Sequence, residues 1–144
     1  MNDIKALVIG GGQAGLATAH ALRTAGTAPV VLEAGEEPVG LWPSYYDSLT
    51  LFSPARYSAL PGMAFPGDPD HYPHRDEVID YLRRYAKNLA DEFDIDIRTG
   101  DRVETVHADR TGFRVRVADG TEVRTCPFRS NFTDGRTADL RSDE

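Results

Sequence analysis

The sequence predicts an α/β fold, a short parallel sheet with one crossover helix joined to a small antiparallel meander. Three observations predict it. Two short apolar runs flank a proline-free stretch rich in alanine and leucine, the pattern of a βαβ unit. A glycine-rich turn joins the first run to that stretch. Phe113, Val115 and Val117 alternate with Arg114 and Arg116 and lead into Asp119-Gly120, the pattern of a hairpin. At 144 residues the chain is long enough for one domain with a core of its own.

The elements follow in order. Ile4 to Ile9 is a β-prone run with little alternation, as in a strand covered on both faces. Gln13 to Ala25 reads as a helix, and Gly26 closes it. Val30, Val31 and Leu32 make a second buried strand, parallel to the first. Residues 34–73 hold seven of the nine prolines, too many for regular structure. They also hold seven of the thirteen aromatics, too many for a disordered linker. Two readings stay open there: a loop packing on its own domain, or a functional loop. Val78, Leu82, Tyr85 and Leu89 share a helical face, with Ile79, Ala86 and Phe93 beside it. Arg83, Arg84 and Lys87 read as its wet face. Ile95 and Ile97 suggest a short third strand, and Val103, Val106, Phe113–Val117 and Val123–Thr125 make a three-stranded meander.

Composition removes several function classes. Net charge is −7, from 16 Lys+Arg against 23 Asp+Glu, with no basic cluster, so no nucleic-acid or anionic-membrane partner is expected. The longest apolar run, Ala6 to Ile9, is far short of the roughly 20 residues that span a bilayer. No signal peptide is recognisable. Cys126 is the only cysteine, which excludes an internal disulfide and makes a reducing cytoplasm the expected location. No Gly-x-Ser-x-Gly elbow is present. His71 and His74 are spaced His-x-x-His with Asp68, Asp70 and Asp76 nearby, but they stand in a proline-rich loop without a cysteine partner. They read as solvated loop histidines, and no metal site is expected. His20, in the first helix, and His107, in the meander, have no partner identifiable from sequence.

The chemistry lies in the turn Gly10-Gly11-Gly12-Gln13-Ala14-Gly15, a G-x-G-x-x-G that follows a strand and opens a helix. Gly10 permits the tight turn, Gly12 lets a pyrophosphate approach the backbone, and Gly15 lets the helix lie close on the sheet. The helix N-terminus supplies free N–H groups and a partial positive charge. Glu33 ends the second strand, with Ala34 beside it, where an acid that accepts a ribose diol belongs. Its charge would repel a 2′-phosphate, so FAD or NAD suits the site and NADP does not.

These residues, with Ala19, Gly26 and Val31-Leu32-Glu33, resemble the N-terminal FAD-binding segment of two-dinucleotide-fold flavoproteins. Gly40-Leu41-Trp42, Tyr46-Asp47-Ser48-Leu49, Leu51-Phe52-Ser53-Pro54 and Tyr72-Pro73 through Tyr81-Leu82 narrow the match. They resemble flavin-containing monooxygenases of bacterial type, over roughly residues 4–125. The resemblance implies a Rossmann-like FAD-binding domain. It implies that Leu41 and Trp42 pack along the flavin and that Phe52 and Ser53 lie near the isoalloxazine ring. It implies a main-chain contact from Val103 to the adenine. Mammalian-type members carry an asparagine where Phe52 falls, which helps hold the reduced flavin, and phenylalanine cannot donate that hydrogen bond.

In such flavoproteins an apolar strand and a second glycine fingerprint for NADPH follow the meander. Here Thr125 leads into a stretch in which seven of the last 18 residues are charged. The expected organisation is therefore a partial FAD-binding domain over 1–126, incomplete at its C-terminal end, and an atypical, unstructured polar tail over 127–144. A truncated or frame-shifted product is the reading, with a genuine short variant as the alternative. The expected function is the FAD-binding portion of a flavin- and NADPH-dependent monooxygenase, inactive alone, with no catalytic residue of its own. A small-molecule substrate is expected only in a full-length form, and the oligomeric state stays open. A flavoprotein reductase of the pyridine-nucleotide type and a non-enzymatic remnant are the alternatives. No Cys-x-x-Cys pair supports the first of these.

Overall fold

The computed structural model describes residues 4–126 and the backbone of Thr137–Asp139. Strands β1 (Ala6–Ile9) and β2 (Pro29–Leu32) pair in parallel, Ala6 opposite Pro29 through Ile9 opposite Leu32. Helix α1 (Gln13–Thr24) makes the crossover. It stops where Gly26 turns to φ +91°, a left-handed conformation that suits glycine. There the N–H groups of Gly26 and Thr27 donate back to the carbonyls of Arg23 and Leu22 at 3.0 and 2.9 Å.

A third parallel strand, β3 (Asp96–Arg98), pairs with the other edge of β2 and gives the order β1-β2-β3. Being central, β2 is buried along its whole length, hence its unbroken apolar run. Its two faces serve different cores, because alternate side chains of a strand point oppositely. Val31 joins the core between the sheet and the helices. Val30 and Leu32 join Val115, Val117 and Val123 of the second sheet.

Helix α2 (Arg75–Phe93) buries Val78, Ile79, Leu82, Tyr85, Ala86 and Leu89 as the periodicity predicts, and Tyr81 as well. Arg83, Arg84 and Lys87 are exposed, with Arg83 ion-paired to Glu37 and Asp80. The 34–73 segment is irregular except for two 3₁₀ turns, Trp42–Ser44 and Ala55–Tyr57, and it packs on its own domain. Phe65 stacks on Tyr81 at 4.6 Å. The Tyr81 hydroxyl accepts the Leu60 N–H at 2.8 Å and donates to the Met63 carbonyl at 2.6 Å. Tyr85 donates to the Pro61 carbonyl at 2.5 Å, and burial, aided by Tyr81, pushes its phenol up to about 12. The same segment leaves Leu41, Tyr45, Tyr46, Phe52, Tyr57 and Tyr72 exposed.

The meander forms as β4 (Val103–Asp109), β5 (Gly112–Val117) and β6 (Glu122–Arg124), with Asp119-Gly120 in the tight turn. Two expectations are corrected. The meander gains a fourth strand, β7 (Thr137–Asp139), antiparallel to β4, so part of the 127–144 tail is structured. Pairing at an open edge uses backbone groups and needs no apolar side chains. The rest of that tail lies outside the described residues. The loop histidines are not merely solvated, either. His74 caps α2, with its side chain accepting from the Glu77 N–H and its own N–H donating to Glu77 Oε2 at 2.7 Å. Its ring also meets Thr50 Oγ1 at 2.9 Å. His71 binds Glu77 and the Asp68 carbonyl. His20 packs against Phe93 and Tyr85.

At the outer side of β1, Thr125 bridges Ile4 in parallel and the Cys126 N–H donates to the Ile4 carbonyl at 2.9 Å. Among the described residues, no helix is long and apolar enough to cross a membrane.

Candidate cofactor site

The site is built on the turn between β1 and α1. Gly10 adopts φ +100° and donates its N–H to the Leu32 carbonyl at 2.7 Å, so the chain leaves β1 sharply while staying tied to β2. Gly15 sits so close behind that a Cβ there would stand 1.8 Å from the Gly10 carbonyl oxygen. Gly12 is the N-cap of α1 and offers no side-chain cap. A Cβ on Gly12 would come within 3.3 Å of Gly40 Cα, and one on Gly40 within 3.1 Å of Gly12 Cα. Two glycine backbones therefore cross there, a reason for Gly12 that its place in the fingerprint does not reveal.

The first amide in the helical ladder is that of Leu16, which donates to the Gly12 carbonyl at 2.9 Å. The N–H groups of Gln13, Ala14 and Gly15 precede the ladder and have no intrahelical acceptor. The first turn contains no acidic residue to offset the positive end of the helix dipole. Those amides open on a cavity of about 390 Å³. Gly10, Gly12 and Gln13–Gly15 line it together with Gly40, Leu41, Trp42 and Tyr45, and with Ile9 at the end of β1. The Trp42 indole N–H donates to Gln13 Oε1 at 3.2 Å, and Tyr45 meets the Trp42 ring edge-on at 5.4 Å. Backbone amides and aromatic rings thus line one cavity, a combination that suits an anionic group attached to a flat ring.

Glu33 lies next to this cavity rather than in its lining. Only 9% exposed, it accepts the Gly11 N–H at Oε2 (2.5 Å) and the Gly35 N–H at Oε1 (2.7 Å). The carboxylate thus braces the glycine turn against the end of β2, and each oxygen keeps a further lone pair. The Glu33 carbonyl accepts the Asp101 N–H at 2.9 Å, which draws the start of β4, and Val103 with it, toward this end of the sheet.

Of the residues predicted from sequence, the cavity unites Gly10, Gly12, Gln13, Ala14, Gly15, Leu41 and Trp42. It does not include Gly11, Glu33, Ala34, Phe52, Ser53 or Val103. Phe52 is 99% exposed, and Ser53 Oγ pairs with Ser58 Oγ at 2.9 Å. Ile9, Gly40 and Tyr45 are additional lining residues. Gly40 had a visible signal, a glycine before Leu41-Trp42 inside a proline-rich loop. Ile9 and Tyr45 had none.

The chain is 35% identical over 135 residues to an uncharacterized oxidoreductase, CzcO-like, of Geobacillus kaustophilus, covering 90% of this chain and 38% of that protein. It is 36% identical over 104 residues to indole-3-pyruvate monooxygenase YUCCA6 of Arabidopsis thaliana, covering 72% of this chain and 24% of the plant protein. The solved structure of a flavin-containing monooxygenase from Stenotrophomonas maltophilia superposes with a TM-score of 0.76 at 35% identity, over 87% of this chain and 37% of that one. The chain thus spans less than two fifths of the length of these relatives. The family model for pyridine nucleotide-disulphide oxidoreductases matches residues 7–125, and the chain belongs to that family, among its flavin monooxygenase-like oxidoreductases.

Proposed function

We propose that this chain binds FAD and forms the FAD-binding portion of a flavin- and NADPH-dependent monooxygenase-type oxidoreductase. The observation that carries the reading is the cavity at the uncapped start of α1, lined by Gln13, Ala14 and Gly15 together with Trp42. The residues fit the cofactor. A side chain at Gly12 or Gly40 would close the crossing beside the amides, and no acid stands where a pyrophosphate would come.

In this reading Gly10–Gly15 hold the pyrophosphate through backbone amides. Glu33 accepts the ribose hydroxyls with the lone pairs that Gly11 and Gly35 leave free, and Ala34 lies beside it. The Val103 main chain meets the adenine. Leu41 and Trp42 flank the flavin, and Phe52 and Ser53 lie toward its ring. When bound, FAD supplies two-electron redox chemistry, and the protein supplies position and electrostatics. The unit that does this is residues 1–126. NADPH and a small-molecule substrate belong to a full-length form, because this sequence holds one dinucleotide fingerprint, already assigned to FAD.

Titration calorimetry with FAD and with NADP tests the proposal. FAD binds and NADP does not displace it. Gly12→Val lowers FAD affinity by about 100-fold or more, since the added side chain displaces Gly40 and the 38–42 loop. Wild-type affinity in that variant, or preference for NADP, would overturn the assignment.

A further inference from the structure

The His71 ring sits between two acceptors. Its Nδ1 faces the backbone carbonyl of Asp68, and its Nε2 faces Glu77 Oε1 at 2.9 Å. A carbonyl and a carboxylate only accept, so both contacts become hydrogen bonds when both ring nitrogens carry protons, as they do in the imidazolium. Glu77 stays ionised here because its other oxygen takes the His74 N–H, which with His71 holds its carboxyl below the ordinary range. The charged groups facing the ring are Glu77 on α2 and Asp68 on its own loop, with His74 facing Glu77 from the helix cap. The Asp68 carbonyl, followed by Glu77, holds the His71 ring above its ordinary pKa.

The clamp acts on a second segment. Residues 69–73 run beside residues 51–56 and accept three of their amides. Leu51 donates to the Pro73 carbonyl at 2.8 Å, Ala55 to His71 at 2.8 Å and Arg56 to Pro69 at 3.0 Å. The strap that His71 ties to α2 therefore carries Phe52 and Ser53.

We propose that the His71 imidazolium is a positioning residue that clamps the 69–73 strap to α2 and thereby holds the Leu51–Arg56 segment in place for the flavin. The inference rests on the assignment of Phe52-Ser53 to the flavin side of the site. The sign follows from the proton. A group whose pKa is raised on folding contributes below its unfolded value and loses that contribution as pH rises through its folded value. The clamp is closed below about pH 6.5 and opens above the raised His71 value.

The test uses the full chain and has three readouts. Ring ¹⁵N shifts in the free protein should show both His71 nitrogens protonated at about pH 6.5, with a titration above that value. Amide exchange, corrected for intrinsic rates, should lose about threefold or more protection at Leu51, Ala55 and Arg56 between about pH 6 and about pH 9. His71→Gln should flatten that change. FAD affinity should weaken about threefold or more over the same range in wild type and not in His71→Gln. A ring that is neutral at pH 6.5, or protection that ignores pH, would overturn the clamp even if the variant fails to fold. A titrating clamp with pH-independent FAD affinity would overturn its link to the flavin. Failure of FAD to bind at any pH would overturn the cofactor assignment as well, leaving the two free-protein readouts to judge the clamp.

Discussion

Glu33 is the residue on which the glycine turn and the end of β2 depend together. Its carboxylate is the acceptor for the N–H groups of Gly11 and Gly35, and Gly11 is buried against it. Glu33→Ala should cost about 1.5–3 kcal/mol, the range for hydrogen bonds to a charged group, read as a lowered melting midpoint. In the proposed reading it should also weaken FAD binding by more than the folding loss explains, because the proposed ribose acceptor goes with it. Calorimetry on the folded variant separates the two effects. If the melting midpoint does not move, the brace has no energetic weight. Much at this scale was legible in the sequence. The offsets of Gly10, Gly12, Gly15 and Glu33 carry their own geometric meaning. The brace was not legible, since sequence does not say which amide meets an acid 22 residues away. Gly40 opposite Gly12 was hidden for the same reason.

Elements divide similarly. The β1–α1 joint depends on Gly15, where a methyl group would stand 1.8 Å from a backbone oxygen that cannot swing aside. Gly15→Ala should destabilise the fold by about 1–3 kcal/mol as the turn and helix are forced apart. A chemical-denaturation midpoint equal to wild type would refute the close packing. Helix α2 and the proline-rich loop depend on Tyr81. Tyr81→Phe keeps the stack on Phe65 but strands the Leu60 N–H and the Met63 carbonyl, at a cost of about 1–3 kcal/mol. Faster proteolysis within 60–63 should accompany that loss, and unchanged cleavage would argue against the anchor. Periodicity foretold α2 and the meander because each buries one face, and the proline-free, alanine- and leucine-rich composition foretold α1. Periodicity could not foretell β7, a Thr-Ala-Asp stretch with no apolar alternation, or the role of Tyr81, whose partners are far away in sequence.

At the scale of the molecule, two cores meet at β2, and the cofactor cavity lies where β1, α1 and the 38–45 loop converge. The sequence holds one dinucleotide fingerprint, which the proposed reading gives to FAD. NADPH oxidation by the purified chain with excess FAD should therefore not exceed the free-flavin background, and sustained turnover would show a complete active site. In the proposed reading FAD seats its pyrophosphate on the start of α1. Amide chemical shifts of ¹⁵N-labelled protein during FAD titration test it most directly. Saturable shifts should concentrate at Gly10–Gly15, Gly40–Trp42 and Tyr45, with the strongest at Gln13, Ala14 and Gly15. Saturable FAD binding that leaves those amides unmoved, or no binding at all, would contradict it.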